Sequence, residues 1–280
     1  MDNHRDPLEF PANFVFSQSS LQDYMDCPRR FSLRYLKQLD YPAEEMEPAL
    51  ENERRLQEGE YFHRLVQQSL LGLPAEKLAR LANTPDLARW WQNWEAFRHT
   101  AGFERAQIFP EWTLSAPLGE FRLLAKYDLI VLSEDKIWIY DWKTYHRRPR
   151  NEWLAARWQT RLYPALLCLA GHHLNDGQPI QPEQIEMIYW FTNFPAEPAS
   201  FPYRSAQFQR DQNALRKLIA EIANTSEFPP TEDTQRCRFC SYRGYCDRGA
   251  EAGDLNEAEV DMEAEEWFDV NFEQVGEIAF

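Results

Sequence analysis

The stretch EFRLLAKYDLIVLSEDKIWIYDWKT, residues 120–144, decides the fold. Ile, Leu, Val, Tyr and Phe crowd its two arms, 120–132 and 136–142, and Ser133-Glu134-Asp135 punctuates them, the mark of a β-hairpin. With Glu134-Asp135 as a two-residue turn, Ser133 pairs with Lys136, and counting outward sets Asp128 opposite Asp141. Opposed residues of an antiparallel pair have Cβ atoms about 4.5–5.5 Å apart, where two carboxylates repel. A divalent cation offsets that repulsion, and hard oxygen ligands at this spacing suit Mg2+ or Mn2+. The period of two places Lys143 on the face of Asp141 and turns Trp142 to the other. Two acids and an ammonium converge, a set able to orient water and to stabilise charge on a phosphate.

Working outward, residues 106–116 read as a further strand of the same meander and bring Glu111 as a third carboxylate. Upstream, 18–38 has a helical pattern interrupted at Cys27-Pro28, and 48–71 and 85–100 read as two more helices, the second carrying Trp90, Trp91 and Trp94. Downstream come a helix over 152–171, a strand over 184–193 and a helix over 205–224. Helices flanking a mixed sheet make an α/β core. Gly59 and His63 share a helix face, where the glycine admits a close neighbour and the imidazole is a candidate metal ligand. Gln159 and Tyr163 likewise share a face on the helix that follows Lys143. Between Lys143 and that pair lies Tyr145-His146-Arg147-Arg148-Pro149-Arg150, the densest basic stretch. It suits phosphate contacts through Arg147 and Arg148, with Trp153 and Trp158 as stacking surfaces for single-stranded bases.

The composition, 280 residues with 44% hydrophobic, suits one large domain or two small ones. The net charge of −15 is uneven: from Asp247 to Phe280 there are twelve acidic residues and one basic, giving −11, while the rest carries 33 acidic and 29 basic, giving −4. The body therefore keeps room for a basic nucleic-acid surface, because charge farther away than about 8–10 Å is screened. MDNHRDPLEF at the start lacks the basic and apolar regions of a signal peptide, and no window approaches eighteen apolar residues. The expectation is a soluble cytoplasmic protein without a membrane partner. In that compartment clustered cysteines ligate metal more readily than they form disulfides. Cys237, Cys240 and Cys246 form C-x2-C-x5-C, and Cys27 completes a set of four if the fold brings the two ends together. Four thiolates suit zinc or an iron–sulfur cluster. Cys168, inside ALLCLA, reads as a small buried hydrophobe.

The pieces SQSSLQDYMDCPRRF (17–31), GEYFH (59–63), LLAKYD (123–128), YDWKT (140–144), QTRLY (159–163) and CRFCSYRGYC (237–246) are modest one by one. In this order they resemble the PD-(D/E)XK nuclease superfamily. The resemblance is to its RecB-like branch with an iron–sulfur clasp, which includes the AddB nuclease domain and CRISPR-associated adaptation nucleases, and it spans residues 17–248. It implies a restriction-endonuclease-like mixed sheet flanked by helices, with a helical N-terminal part and a cysteine-ligated cluster joining the N- and C-terminal segments. By the same resemblance His63, Asp128 and Asp141 bind Mg2+ or Mn2+ and Lys143 is catalytic. Glu111 matches the upstream acid, Gln159 and Tyr163 the Q-x3-Y pair. Cys27, Cys237, Cys240 and Cys246 ligate a [4Fe-4S] cluster. Ala125 stands where the family usually has glycine. The expected organisation is one nuclease domain over 1–249 followed by an acidic tail over 250–280. Within the domain, 17–104 is mostly helical, 105–194 is the catalytic core and 195–249 holds the last helix and the cysteines. The expected activity is metal-dependent hydrolysis of DNA, an exonuclease on single-stranded ends in repair, recombination or defence, acting with a helicase or similar partner. The rivals are a CRISPR adaptation nuclease trimming spacer precursors and a non-catalytic iron–sulfur scaffold that binds DNA.

Overall fold

In the computed structural model, which describes residues 10–40, 49–103 and 106–248, the hairpin forms in the expected register. Strands β2 (Gln107–Leu118), β3 (Phe121–Leu132) and β4 (Ile137–Lys143) are a meander, and Leu132 pairs with Ile137 and Leu129 with Tyr140. Ser133 N–H donates to Lys136 O at 2.9 Å and closes the turn. Strand β5 (Ile185–Phe191) adds parallel to β4, and β6 (Ala199–Pro202) antiparallel to β5. The two-residue β1 (Val15–Phe16) pairs parallel with Arg122 and Leu123 of β3. The sheet is therefore mixed, as expected; β1 and β6 are additions too short for a sequence pattern.

Helices cover both faces. On one lie α7 (Trp158–Ala170) and, outside it, α8 (Ser205–Asn224), packed through Leu162, Leu166, Leu215 and Ile219. On the other lie α3 (Ala49–Leu70), the short α4 (Ala75–Ala79) and α5 (Pro85–Ala101), around a second cluster with Trp90, Trp94, Trp142 and Trp190 fully buried. Burying a tryptophan removes on the order of 200 Å² from water, a gross gain of about 5 kcal/mol. That cluster presses α5 and α3 onto the sheet. The helix expected over 152–171 is two, α6 (Asn151–Ala156) and α7, broken at Arg157, whose ψ of 145° is extended.

The N-terminal helices are α1 (Gln18–Asp26), capped by a Ser17/Ser20 box, and α2 (Pro28–Phe31), continued by a π-helical turn over Ser32–Leu36. They separate at Cys27, held extended (φ −160°, ψ 102°) before the proline. The N-terminal helices and the segment after α8 do meet here, but not through a cysteine-ligated cluster. Asp26 pairs with Arg236 beside α9 (Thr234–Cys237), Arg29 N–H donates to Pro229 O, and Tyr242 Oη donates to Leu39 O. The Cys27 sulfur accepts the Thr231 N–H at 3.4 Å. No three of the thiols lie within 4.8 Å of one another. Among the described residues only His63, Glu111 and Asp128 form a group of metal-capable side chains that tight. The expected [4Fe-4S] cluster on Cys27, Cys237, Cys240 and Cys246, and its zinc alternative, are thereby corrected: ion pairs and backbone hydrogen bonds, not thiolates, make the junction. Cys168 is half-buried against the α7 side of the core. The acidic tail lies outside the described residues.

Candidate active site

The site sits where the sheet splits. Along one edge of β3, β1 covers Arg122 and Leu123 and β4 begins at Leu129, so residues 124–128 have no strand beside them there. The alternation of side chains also switches at this level. Leu123, Ala125 and Tyr127 face the α7 cluster, yet past Asp128 it is Ile130 and Leu132 that do so, while Leu129 and Val131 join the tryptophan side. On β2, Phe109 before Glu111 and Leu114 and Ala116 after it pack on one face. Glu111 takes a left-handed φ of 51°, which accommodates the switch. Carboxylates are thus released from the two-face rule of a regular strand.

Three groups gather in the gap. His63 comes from α3, Glu111 from β2 and Asp128 from β3, with ligand atoms all within 4.8 Å of one another. His63 Nδ1 lies 3.3 Å from Asp128 Oδ1, and Asp128 Oδ2 accepts the Trp142 N–H at 2.8 Å, the carboxylate substituting for a strand carbonyl. Burial alone would lower the His63 pKa, but the Asp128 charge and hydrogen bond outweigh it and raise the imidazole to about 9. Asp128 is correspondingly held below the usual carboxylate range, burial being overcome by His63 and by the Trp142 N–H. Glu111 is pushed up by burial and then by Asp128, despite Lys126 Nζ at 2.6 Å. Sequence reading did not single out Lys126. Its place two residues before Asp128, on the same strand face, is the signal that would have found it.

Asp141 belongs to a second, adjoining set. Its Oδ1 accepts a hydrogen bond from Gln159 Nε2, and its Oδ2 lies 3.1 Å from Lys143 Nζ. Lys143 donates to Gln159 Oε1 at 3.0 Å. One amide therefore fixes carboxylate and ammonium together, and the orientation is unambiguous because Lys143 has no acceptor. Burial drives Asp141 up to about 7 against the opposing pull of Lys143, with Asp128 adding to the rise. Tyr163, buried beside Gln159, has its phenol raised by burial first. The resemblance implied His63, Asp128 and Asp141 as ligands; among the described residues His63, Glu111 and Asp128 have ligand atoms within 4.8 Å of one another, and Asp141 adjoins them.

Gly59 lets the layers close. A Cβ there would stand 3.0 Å from Thr144 Oγ1, so its absence brings α3, and with it His63, against the end of β4. Arg148 ties its loop to the β5–β6 connection, donating to Glu197 O at 2.7 Å, and also donates to Asn151 Oδ1 at 2.8 Å, while Arg147 is exposed. Of the two tryptophans read as stacking surfaces, Trp158 is a core residue beneath Arg161, and Trp153 packs on the core with Arg157 over its ring.

The residues fit a cation. Two carboxylates and an imidazole converge, and the buried Asp141, ion-paired through Oδ2 with Lys143, adjoins them. The sequence profile of the PD-(D/E)XK nuclease superfamily matches residues 15–247. The chain belongs to the PD-(D/E)XK nuclease superfamily. Membership of a nuclease superfamily implies nucleic-acid binding, and among the described residues no helix is long and apolar enough to cross a membrane. Of solved structures, this superfamily member is similar to an exonuclease candidate from Eubacterium rectale, at 10% identity and a TM-score of 0.50, covering 79% of this chain and 85% of that one. That likeness supports the fold. SSO0001 is similar at 11% identity and a TM-score of 0.36, over 85% and 87% of the two chains. A comparison with curated proteins gives no significant match.

Proposed function

We propose that this chain is a divalent-metal-dependent deoxyribonuclease acting as an exonuclease on single-stranded DNA ends. The observation that carries the reading is the convergence, at one split in the sheet, of His63, Glu111 and Asp128 with the Asp141, Lys143 and Gln159 set. Mg2+ or Mn2+ suits a donor set of two carboxylates and one imidazole. When bound, such a cation supplies Lewis-acid polarisation of a phosphoryl oxygen and neutralises charge as it develops. His63, Glu111 and Asp128 hold it, with Asp141 beside them.

The chain's own groups do the rest. Lys143 donates a hydrogen bond to the phosphate or to the attacking water, where a fixed ammonium opposes the charge of the pentacovalent state. Gln159 sets its position relative to Asp141. Asp141, held by Gln159 and Lys143, is placed to take up the proton that the attacking water sheds. Arg147 guides the phosphate backbone toward the gap. The organisation as one domain over 1–249 followed by an acidic tail over 250–280 is part of the proposal.

The test is cleavage of end-labelled single- and double-stranded DNA with Mn2+, Mg2+ or EDTA, using wild type, Asp141→Ala and Lys143→Ala. Metal-dependent shortening from one end, lost in both variants, is the expected result. Activity that survives both variants, or internal cuts without end dependence, would overturn the reading.

A further inference from the structure

We propose that Tyr145 and Tyr189 form an aromatic cage that positions the Lys143 ammonium for the scissile phosphate; the role assigned to the cage rests on reading this site as a nuclease centre. Lys143 Nζ lies 5.6 Å from the Tyr145 ring centroid and 5.5 Å from that of Tyr189. Both are inside the ~6 Å within which a cation is drawn to an aromatic face. The Gln159 and Asp141 oxygens bind the ammonium at 3.0 and 3.1 Å, and the rings add two weakly hydrated walls. A lysine has four rotatable bonds, so holding its tip in one place requires such walls.

Each ring is itself held. Tyr189 stands in register with Asp141 across the β4–β5 pair and is almost wholly buried. Its hydroxyl is 2.7 Å from Thr160 Oγ1, and Thr160 donates to Leu154 O. With the single hydroxyl proton of Thr160 spent there, Tyr189 is the donor of that pair. Its hydroxyl is thus committed inward and its ring face is the part presented to Lys143. Tyr145, half-buried, is fixed through its backbone. Asn193 Nδ2 donates to Tyr145 O at 2.9 Å and to Thr144 O at 3.3 Å, and Asn193 Oδ1 accepts the Trp90 Nε1–H from α5. Thr192 N–H meanwhile binds Lys143 O at 2.9 Å. The side chain of Asn193 therefore extends the β4–β5 pairing past its end and sets the first ring of the cage.

The test has one readout that needs no turnover and one that does. In protein with 13C-labelled lysine, the Lys143 ε-methylene resonance, assigned by its loss in Lys143→Met, is expected upfield of the exposed lysines because of the two ring currents. Tyr145→Leu and Tyr189→Leu each move it back, and Tyr145→Phe and Tyr189→Phe do not. In Mn2+-dependent cleavage, Tyr145→Leu lowers kcat about tenfold with KM nearly unchanged, and Tyr145→Phe recovers most of the loss. Because Tyr189→Leu empties a core position, the half-buried Tyr145 carries the decision if that variant fails to fold. A Lys143 resonance among those of exposed lysines overturns the cage, as does a kcat that drops equally in the Phe and Leu variants. Wild-type protein without metal-dependent cleavage overturns the nuclease reading and the cage's role in it, whereas the resonance still scores the cage itself.

Discussion

Replacing Gly59 with alanine separates the stability of α3 from the geometry of the site it carries. The new Cβ would stand 3.0 Å from Thr144 Oγ1, with Thr144 Cβ and Cγ2 both at 3.9 Å. The contact persists in the rotamer Thr144 holds and in the one that exchanges its hydroxyl for its methyl, and only the rotamer that turns Hβ toward the helix relieves it. In the other two the gap has to widen by about 0.4 Å to reach ordinary contact, and the movement falls between the helix of His63 and the strand end of Lys143. A misplacement of 1 Å in an active site costs up to about 10²-fold in rate, so in proportion 0.4 Å costs about sixfold in kcat. Stability moves the other way. Alanine is favoured over glycine in a helix interior by about 1 kcal/mol, which leaves Tm unchanged or higher by about 2–4 °C. Single-turnover cleavage of end-labelled single-stranded DNA in Mn2+, run beside thermal melting, reads both. In a Thr144→Ala background the added methyl has room and Gly59→Ala loses its effect on rate. A kcat unaffected by Gly59→Ala, or a loss that persists without the Thr144 hydroxyl, would refute the steric argument.

Three further outcomes follow from the same geometry. His63→Ala and Glu111→Gln each weaken Mn2+ binding by at least about tenfold in calorimetric titration, while Asp141→Asn loses turnover with a smaller change in affinity; the reverse pattern would return the ligand set to His63, Asp128 and Asp141. Asp211→Ala costs about 3–5 kcal/mol in urea unfolding, because this fully buried carboxylate takes hydrogen bonds from Arg161, Tyr203 and Gln207; a cost under about 1 kcal/mol would contradict that account. Arg236→Ala, whose side chain is one-third exposed, costs only about 1 kcal/mol. It nonetheless speeds amide exchange over 229–240 more than in α8; uniform exchange would mean that the Asp26–Arg236 pair does not hold the junction.

Much of the fold was legible because its signals are local. The helix read over 205–224 is α8 at the same bounds, and the 129–140 pairing follows from alternation plus a two-residue turn. What escaped depends on contacts distant in sequence or on backbone angles. The two residues of β1 and the four of β6 hold too few repeats of the strand alternation to make a pattern, and nothing at Arg157, neither proline nor glycine, announces the break between α6 and α7. Glu111 was visible as an upstream acid, yet its grouping with His63 depends on a left-handed residue that no composition signals. The cysteine spacing was equally visible and misled, since spacing along the chain says which thiols are near in sequence and not whether their sulfurs converge. Tyr189 was read as part of a strand, but its register against Asp141 is set by the parallel β4–β5 pairing, which has no local mark.

The Glu134-Asp135 turn acts as a ruler for chemistry it never touches. Four rungs, about 14 Å at ~3.4 Å per residue, separate the Leu132–Ile137 pair beside the turn from the level of Asp128 and Asp141. One residue inserted in the β4 arm between them would bring Tyr140 to the level of Asp128 and turn Asp141 toward the tryptophan face. A change of length in a surface hairpin would then inactivate the protein as surely as loss of a ligand. Tolerance to insertion in this chain is therefore set by whether a segment lies on the counting path between turn and carboxylates, and not by its distance from them.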